Sequence, residues 1–432
     1  MSIFNALAPT PPMGWNSYTC YGITVREEEV LDNARYLAEH LAPFGWQYVV
    51  VDGMWYQDTG AIAGEAPWEP EPFPLDEVGR LWPNLRRFPT AGGGAGFKPL
   101  ADAIHRLGLR FGIHIMRGIP RLAVERNLPI LGTPYRAAEI AERANICPWY
   151  DGMYGVNMAH PGGQAYYDSL LALYADWGID YLKADDCGHT PYQRAEIEGI
   201  ARAIAKCGRP IVLSLSIGDE RVTRHAEHRK AHAELWRIGP DLHDEWPQVR
   251  ETFEFLPRWM PHIGSGCWAD PDMLPLGMLH LREWAGNQAN PHRTKLTRDE
   301  QVTLMTLWCI SRAALMFAGD LPSCDDWTLS LLTNPEVLAV NQHSSNNREL
   351  FRDRDLRAWL ADVPDSFAHY LALFNLGEEA PLETTIPLAE LSLPRCRVRD
   401  LWARREIGVV EEALEISLPP HASVLYRVTP EE

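Results

Sequence analysis

The chain has 432 residues, 46% of them hydrophobic and 23% charged, with 40 basic side chains against 58 acidic ones for a formal net charge of −18. That length exceeds what one compact core holds, so two domains are expected. The acidic balance argues against nucleic acid and anionic membrane as partners, and no apolar run approaches the ~20 residues of a membrane span.

Residues 11–18, Pro-Pro-Met-Gly-Trp-Asn-Ser-Tyr, predict a short first strand ending in polar and aromatic groups. A helix is predicted from Thr24, where Glu27 completes a capping box and Val30, Ala34, Leu37 and Leu41 make one face. Tyr48-Val-Val-Val51 is a continuous apolar run, the mark of a parallel strand covered on both faces, and it ends in Asp52-Gly-Met-Trp55. Residues 58–96 carry many Pro and Gly without a period and read as a long loop over the mouth of the fold. A helix over 97–107 leads to a third strand, 109–115, ending near His114, and residues 117–160 form a second long excursion.

An amphipathic helix over 165–177 runs into Tyr181-Leu-Lys-Ala-Asp-Asp-Cys187, the stretch around which the chain is organised. Side chains two apart on a strand share a face, so Lys183 and Asp185 stand together. At the C-terminal end of a barrel strand such a pair reads as catalytic. The ammonium would hold Asp185 ionised, as a covalent nucleophile requires. The plain alternative is a salt bridge at a strand end. The fifth strand is predicted at 210–216, ending in Ser216, the sixth at 234–237 and the seventh around 267–270. A helix over about 298–310 then precedes the eighth at 313–317. Strands alternating with helices eight times predict an α/β fold of the (β/α)8 TIM barrel type over residues 1–344. From 345 to 432 the texture changes to short extended runs parted by turns, at 369–374, 382–386, 396–401 and 423–428, which predict a small C-terminal antiparallel β-sandwich.

His225, His228 and His232 fall at i, i+3 and i+7 of a predicted helix. The spacing suits a metal face, but no acidic or cysteine ligand pattern accompanies it, so a solvated helix surface is expected and no metal is assigned. The eight cysteines are scattered without a CxxC pair, which fits reduced thiols in a cytoplasmic protein. The first residues show no basic region ahead of an apolar core and read as no secretion signal.

Six motifs in register carry a family likeness. Met13-Gly-Trp-Asn-Ser, Arg87-Phe-Pro with Gly96-Phe-Lys-Pro-Leu, Tyr181-Leu-Lys-Ala-Asp-Asp-Cys, Trp236-Arg-Ile-Gly-Pro-Asp241, Trp268-Ala-Asp-Pro-Asp-Met273 and Arg399-Asp-Leu-Trp402 together resemble glycoside hydrolase family 27, the α-galactosidases and α-N-acetylgalactosaminidases. The resemblance implies a retaining exo-α-glycosidase acting by double displacement, with Asp185 as nucleophile, Asp241 as general acid/base and no cofactor. It implies a sugar pocket drawn from Trp15, Tyr18, Asp52, Trp55, His114, Lys183, Ser216, Arg237 and Asp272. It also implies a glycoside or oligosaccharide as partner, and leaves the oligomeric state open.

The pocket departs from the family pattern. The usual second aspartate after the second strand is Gly53, the usual tyrosine is His114, and the usual glutamate is Ser216, the residue N-acetylgalactosaminidases carry there to make room for an acetamide. The residues after it, Ile217-Gly-Asp219, depart from that pattern. The expected substrate is a terminal α-galactoside or a sugar altered at C2, C4 or C6. Two rival readings are a metal-dependent barrel hydrolase using Asp52, His114 and Asp185, and a carbohydrate-binding relative of weak catalysis. The presence of both matched carboxylates speaks against the latter.

Overall fold

The computed structural model describes residues 7–57, 74–188, 191–216, 223–282, 289–391 and 395–431. Strands β1 (Met13–Asn16), β2 (Tyr48–Val51), β3 (Arg110–Met116), β4 (Tyr181–Asp185), β5 (Val212–Leu215), β6 (Leu235–Arg237), β7 (Trp268–Asp270) and β8 (Leu315–Phe317) pair in parallel in the order β7-β6-β5-β4-β3-β2-β1-β8. Between β7 and β8 the ring is joined just beyond β7, by a parallel bridge from Leu274 to Phe317. The outer layer holds α1 (Glu27–Tyr36), α2 (Lys98–Arg106), α3 (Pro161–Trp177), α4 (Arg194–Lys206), α5 (Ala226–His232), α6 (Trp246–Trp259), α7 (Arg298–Ile310) and α8 (Pro335–His343). This is the expected (β/α)8 barrel.

Alternation along the strands separates two cores. Tyr48, Val50, Tyr181, Val212, Leu235, Trp268, Ala314 and Met316 pack together inside the ring, while Val49, Val51, Phe111, Ile113, Leu182 and Leu213 join the layer shared with the helices. Gly112 belongs to an inward row, and a Cβ there would lie 2.8 Å from that of Tyr181, so glycine is what lets the tyrosine fill the ring. Followed to the C-terminal rim, the same inward rows deliver Asp52, His114, Met116, Lys183, Asp185, Ser216 and Arg237 to one mouth.

Two local expectations are corrected. Helix α1 starts at Glu27: Arg26 is the cap, its N–H donating to Glu29 at 2.8 Å. Thr24 instead closes the preceding turn, its hydroxyl donating to Tyr21 O at 2.7 Å, and Glu27 accepts from Thr90 N at 3.2 Å. The described part of the long loop, 74–96, packs on the barrel flank rather than over the mouth. Arg80 donates to Ser169 O at 2.9 Å on α3, and the Trp82 ring meets Trp177 at 5.1 Å. Its buried Leu81 and Phe88 explain the preference, since a solvated rim gives such side chains nothing to pack on. Residues 58–73 and 217–222 lie outside the described residues. The excursion after β3 builds a small three-stranded sheet from Ile119–Pro120, Met153–Val156 and Ala141–Glu142.

Beyond α8 the chain is antiparallel. Strands β9 (Ser345–Asp353), β10 (Leu356–Asp362), β11 (His369–Asn375), β12 (Leu382–Pro387), β13 (Arg395–Asp400), β14 (Arg405–Glu411), β15 (Ala413–Leu418) and β16 (Ser423–Pro430) make a six-stranded sheet, β9-β10-β11-β16-β13-β14, and a β12-β15 pair. Ala358, Leu371, Leu373, Ile386, Leu414 and Val428 fill the space between them, so the unit is a sandwich. The other face of the large sheet presents Trp359, Phe374 and Leu425 to the barrel core. His421 of the sandwich stacks on Trp246 at 4.0 Å, and Phe374 meets Phe253 edge-on at 4.9 Å, both on α6.

Candidate active site

The rim residues enclose a cavity of about 650 Å³, lined among others by Tyr18, Asp52, Gly53, His114, Lys183, Asp185, Ser216, Arg237, Asp241 and Asp272. That volume suits a small ligand. Asp185 ends β4. Its Oδ1 accepts from the Asp186 N–H at 2.7 Å, and its Oδ2 lies 3.2 Å from His114 Nε2. Burial pushes the carboxyl up, but the His114 hydrogen bond and the charges of His114 and Lys183 outweigh it, so the group sits below the ordinary aspartate value. A depressed value keeps it anionic and nucleophilic at neutral pH.

The Lys183 ammonium takes a different partner from the expected one. It donates to Asp52 Oδ2 at 2.8 Å, where Asn16 Nδ2 also donates at 2.6 Å. Burial pushes Asp52 up, yet Lys183 and His114 hold it well below the usual range. In return, Lys183 rises to about 12, burial opposing and Asp52 favouring its charge. Lys183 therefore acts on Asp185 through space, and His114 on the neighbouring strand is the direct partner. The register brings them together, since His114 pairs with Lys183 and Met116 with Asp185. The rival metal centre of Asp52, His114 and Asp185 is not assembled, because the ammonium occupies the place a cation would take at Asp52.

The turn after Asp185 is held tightly. Asp186 has φ 58, a left-handed conformation that costs a non-glycine residue roughly 1 kcal/mol or more. Buried Arg117 pins it: the guanidinium pairs with Asp186 Oδ2 at 2.7 Å, donates to Asp186 O at 2.7 Å and pairs with Glu196 at 3.0 Å. Neither Arg117 nor Asp186 was singled out from sequence, because their pairing depends on α4 packing beneath the turn.

Two strands along from β4, Arg237 ends β6. It pairs with Asp272 at 3.0 Å and with Asp241 at 3.1 Å. Asp272 also accepts from the Leu242 N–H at 2.8 Å, tying the loop that carries Asp241 to the seventh-strand loop. Burial pushes Asp272 up, offset in part by Arg237, while Asp241 is 73% exposed and open to solvent. Asp185 and Asp241 line the same cavity, which thus holds the pair of carboxyls that glycoside hydrolysis uses. Tyr18 lies with its ring 5.9 Å from the Lys183 ammonium, and burial first, then Asp52, keeps its hydroxyl protonated.

Trp15 and Trp55 are corrections. Both are fully buried and neither lines the cavity. Trp15 Nε1 donates to Gly319 O at 2.8 Å, and Trp55 Nε1 to His114 O at 2.7 Å, so they brace the rim from behind. Large aromatic rings on a strand end satisfy core and sugar site equally well in sequence, and only burial separates the two. Trp149, His243, His280, Asn290, His292 and Lys295 also line the cavity and were not anticipated. They come from the excursion after β3 and the segments after β6 and β7, where His292 sits in a two-residue strand paired with Met278–Leu279, and none of these stretches has a periodicity to read.

Comparison with known proteins places this geometry in context. The alpha galactosidase A family matches residues 149–343, and the alpha galactosidase C-terminal beta sandwich domain matches residues 353–428. The chain is similar to a β-L-arabinopyranosidase of glycoside hydrolase family 27 from Geobacillus stearothermophilus, solved in complex with arabinose, at 46% identity and TM-score 0.94, covering all of both chains. It is similar to a proposed α-N-acetylgalactosaminidase from Bacillus halodurans at 43% identity and TM-score 0.89, again covering all of both chains. Alpha-galactosidase 2 of Arabidopsis thaliana is 26% identical, over 99% of this chain and 92% of that one.

Proposed function

Because the chain belongs to glycoside hydrolase family 27, we propose that it is a retaining exo-glycosidase that removes terminal β-L-arabinopyranosyl units. Asp185 attacks the anomeric carbon while Asp241 gives its proton to the departing glycosidic oxygen, leaving the sugar as an ester on Asp185. Asp241 then takes a proton from water, the water oxygen attacks the anomeric carbon, and Asp185 leaves as carboxylate. Lys183, Asp52 and Arg237 hold ring hydroxyls, and His114 positions the nucleophile.

The observation that carries the choice of sugar is Gly53. β-L-arabinopyranose has the ring configuration of α-galactose and lacks only the exocyclic hydroxymethyl arm. A galactosidase of this family grips that arm with a second carboxylate after β2, and this chain has none there. The nearest side-chain atoms to a Cβ built on Gly53 are those of the His114 ring, at 3.7 Å. The 46% identity with an arabinopyranosidase, against 26% with an α-galactosidase, supports the same reading.

Ser216, on the cavity wall, favours a second reading, an α-N-acetylgalactosaminidase with room for a C2 acetamide. The test is kcat/KM on aryl β-L-arabinopyranoside, α-galactoside and α-N-acetylgalactosaminide. Preference for the arabinoside by tenfold or more is expected; preference for either galactose-derived sugar overturns it. None of the eight cysteines is in a disulfide, which suits a reducing compartment, and we assign the protein to the cytoplasm, to be checked by fractionation.

A further inference from the structure

The three histidines read from sequence as a solvated surface have a different setting in the structure. His228 of α5 is buried, and Glu198 of α4 stands beside it, Oε1 lying 3.2 Å from His228 Nε2. His232, one turn on, has its ring centroid 4.3 Å from that of His228. One nitrogen from each ring and one Glu198 oxygen lie within 4.8 Å of one another, and among the described residues no other group of three or more such side chains is so placed. His225 stays apart, stacked on Tyr192 at 3.9 Å. The acidic ligand absent from the local sequence comes from a helix thirty positions upstream.

We propose that Glu198, His228 and His232 bind a zinc-class divalent cation. Histidines four apart share one helix face and converge on an ion, and a two-imidazole, one-carboxylate set suits zinc or its first-row neighbours rather than calcium or magnesium. The second observation is the orientation of the outer ring nitrogens. His232 Nδ1 donates to His228 O at 2.7 Å, which leaves its Nε2 lone pair free. His228 Nδ1 lies 2.9 Å from the Tyr192 hydroxyl, which accepts the Nδ1 proton once Nε2 turns to the ion. Metal-bound imidazoles are held by this kind of outer contact. Bonds of about 2.0–2.2 Å put tetrahedral ligand atoms roughly 3.3–3.5 Å apart, so the three side chains close by about 1 Å. Glu198, whose side chain is 33% exposed, can make that movement by giving up its 3.5 Å pair with Arg202. Water fills the fourth position.

The site lies away from the catalytic cavity, none of whose lining residues it shares. Its consequence is mechanical. Tyr192 closes the segment that leaves the nucleophile turn, with Gln193 N donating to Cys187 O at 3.1 Å, and α5 precedes β6 with its Arg237. An ion here clamps the two segments together.

The test uses the full chain stripped with a chelator, then titrated with zinc chloride by calorimetry and with cobalt chloride by absorption. One zinc per chain at micromolar or tighter affinity is expected, with cobalt d–d bands of a four- or five-coordinate nitrogen and oxygen set. Glu198→Gln and His232→Ala, both at partly exposed positions, should each weaken binding tenfold or more while the circular dichroism spectrum stays unchanged. Absence of binding, binding unaltered in both variants, or a thiolate-to-cobalt charge-transfer band from cysteine ligation overturns the proposal.

Discussion

Restoring a carboxylate at position 53 should redirect the enzyme toward galactosides. Gly53 is outside the left-handed backbone region, and a Cβ built on it meets nothing closer than the His114 ring at 3.7 Å, an ordinary contact. Gly53→Asp should therefore fold without strain. The new carboxylate would stand beside His114 Nδ1, a buried atom with no hydrogen-bond partner. One oxygen accepts from that ring, and the remaining lone pairs reach the hydroxyl of an exocyclic arm. A hydrogen bond to a charged group contributes about 1.5–3 kcal/mol, which is roughly 10- to 150-fold in rate. The quantity to measure is the ratio of kcat/KM on aryl α-galactoside to that on aryl β-L-arabinopyranoside, in the wild type, in Gly53→Asp and in Gly53→Ala. The ratio should rise by that factor in the aspartate variant alone. A folded Gly53→Asp that keeps its arabinoside activity and shows an unchanged ratio would refute the assignment of this position to the exocyclic arm.

Three further expectations follow from the same geometry. His114→Leu removes the hydrogen bond and the nearby charge that, together with Lys183, outweigh burial at Asp185. Asp185 is depressed in the folded protein, so activity holds above its value and is lost as pH falls through it. The acidic limb of kcat/KM should move to higher pH, and an unmoved limb would exclude the contact. Asp185→Ala should abolish turnover of an activated aryl glycoside, while Asp241→Ala with added azide should yield a glycosyl azide of retained configuration; an inverted product, read by NMR, would rule out the covalent intermediate. Arg117→Met strands buried Asp186 and Glu196, whose side chains are both 3% exposed, and should cost about 3–5 kcal/mol with a lower urea midpoint. A loss under 1 kcal/mol would mean that the turn is held by other contacts.

The barrel strands were legible because their apolar runs bury both faces, and Lys183 and Asp185 because a period of two puts them on one rim. What the residues face across the barrel was not. Lys183 reaches to Asp52 two strands away, and Arg117 reaches under Asp186, distances that no local pattern encodes. In the sandwich, β9, β10, β14 and β15 went unseen, and of these β9 and β14 are the edges of the large sheet. Their side chains are largely exposed, with charged residues such as Arg348, Arg352, Arg405 and Glu411 standing where alternating apolar residues would have signalled a strand. Thr24 and Glu27 matched the capping pattern in sequence, but the helix starts two residues on, where only the pattern's carboxylate half is met, by Glu29 accepting from the Arg26 N–H. Glu198 escaped for the same reason as Arg117: it meets His228 through helix packing.

The stacking of His421 on Trp246 bears on how this protein could have been assembled in evolution. Trp246 opens α6, only five residues after Asp241, and Phe253 on the same helix is covered by Phe374. The C-terminal unit thus steadies the helix behind the loop that carries Asp241 and hides its aromatic surface. A barrel acquired or transferred without its sandwich would arrive with a sticky flank and a loosened Asp241 loop, so recombination has reason to move the two as a single cassette.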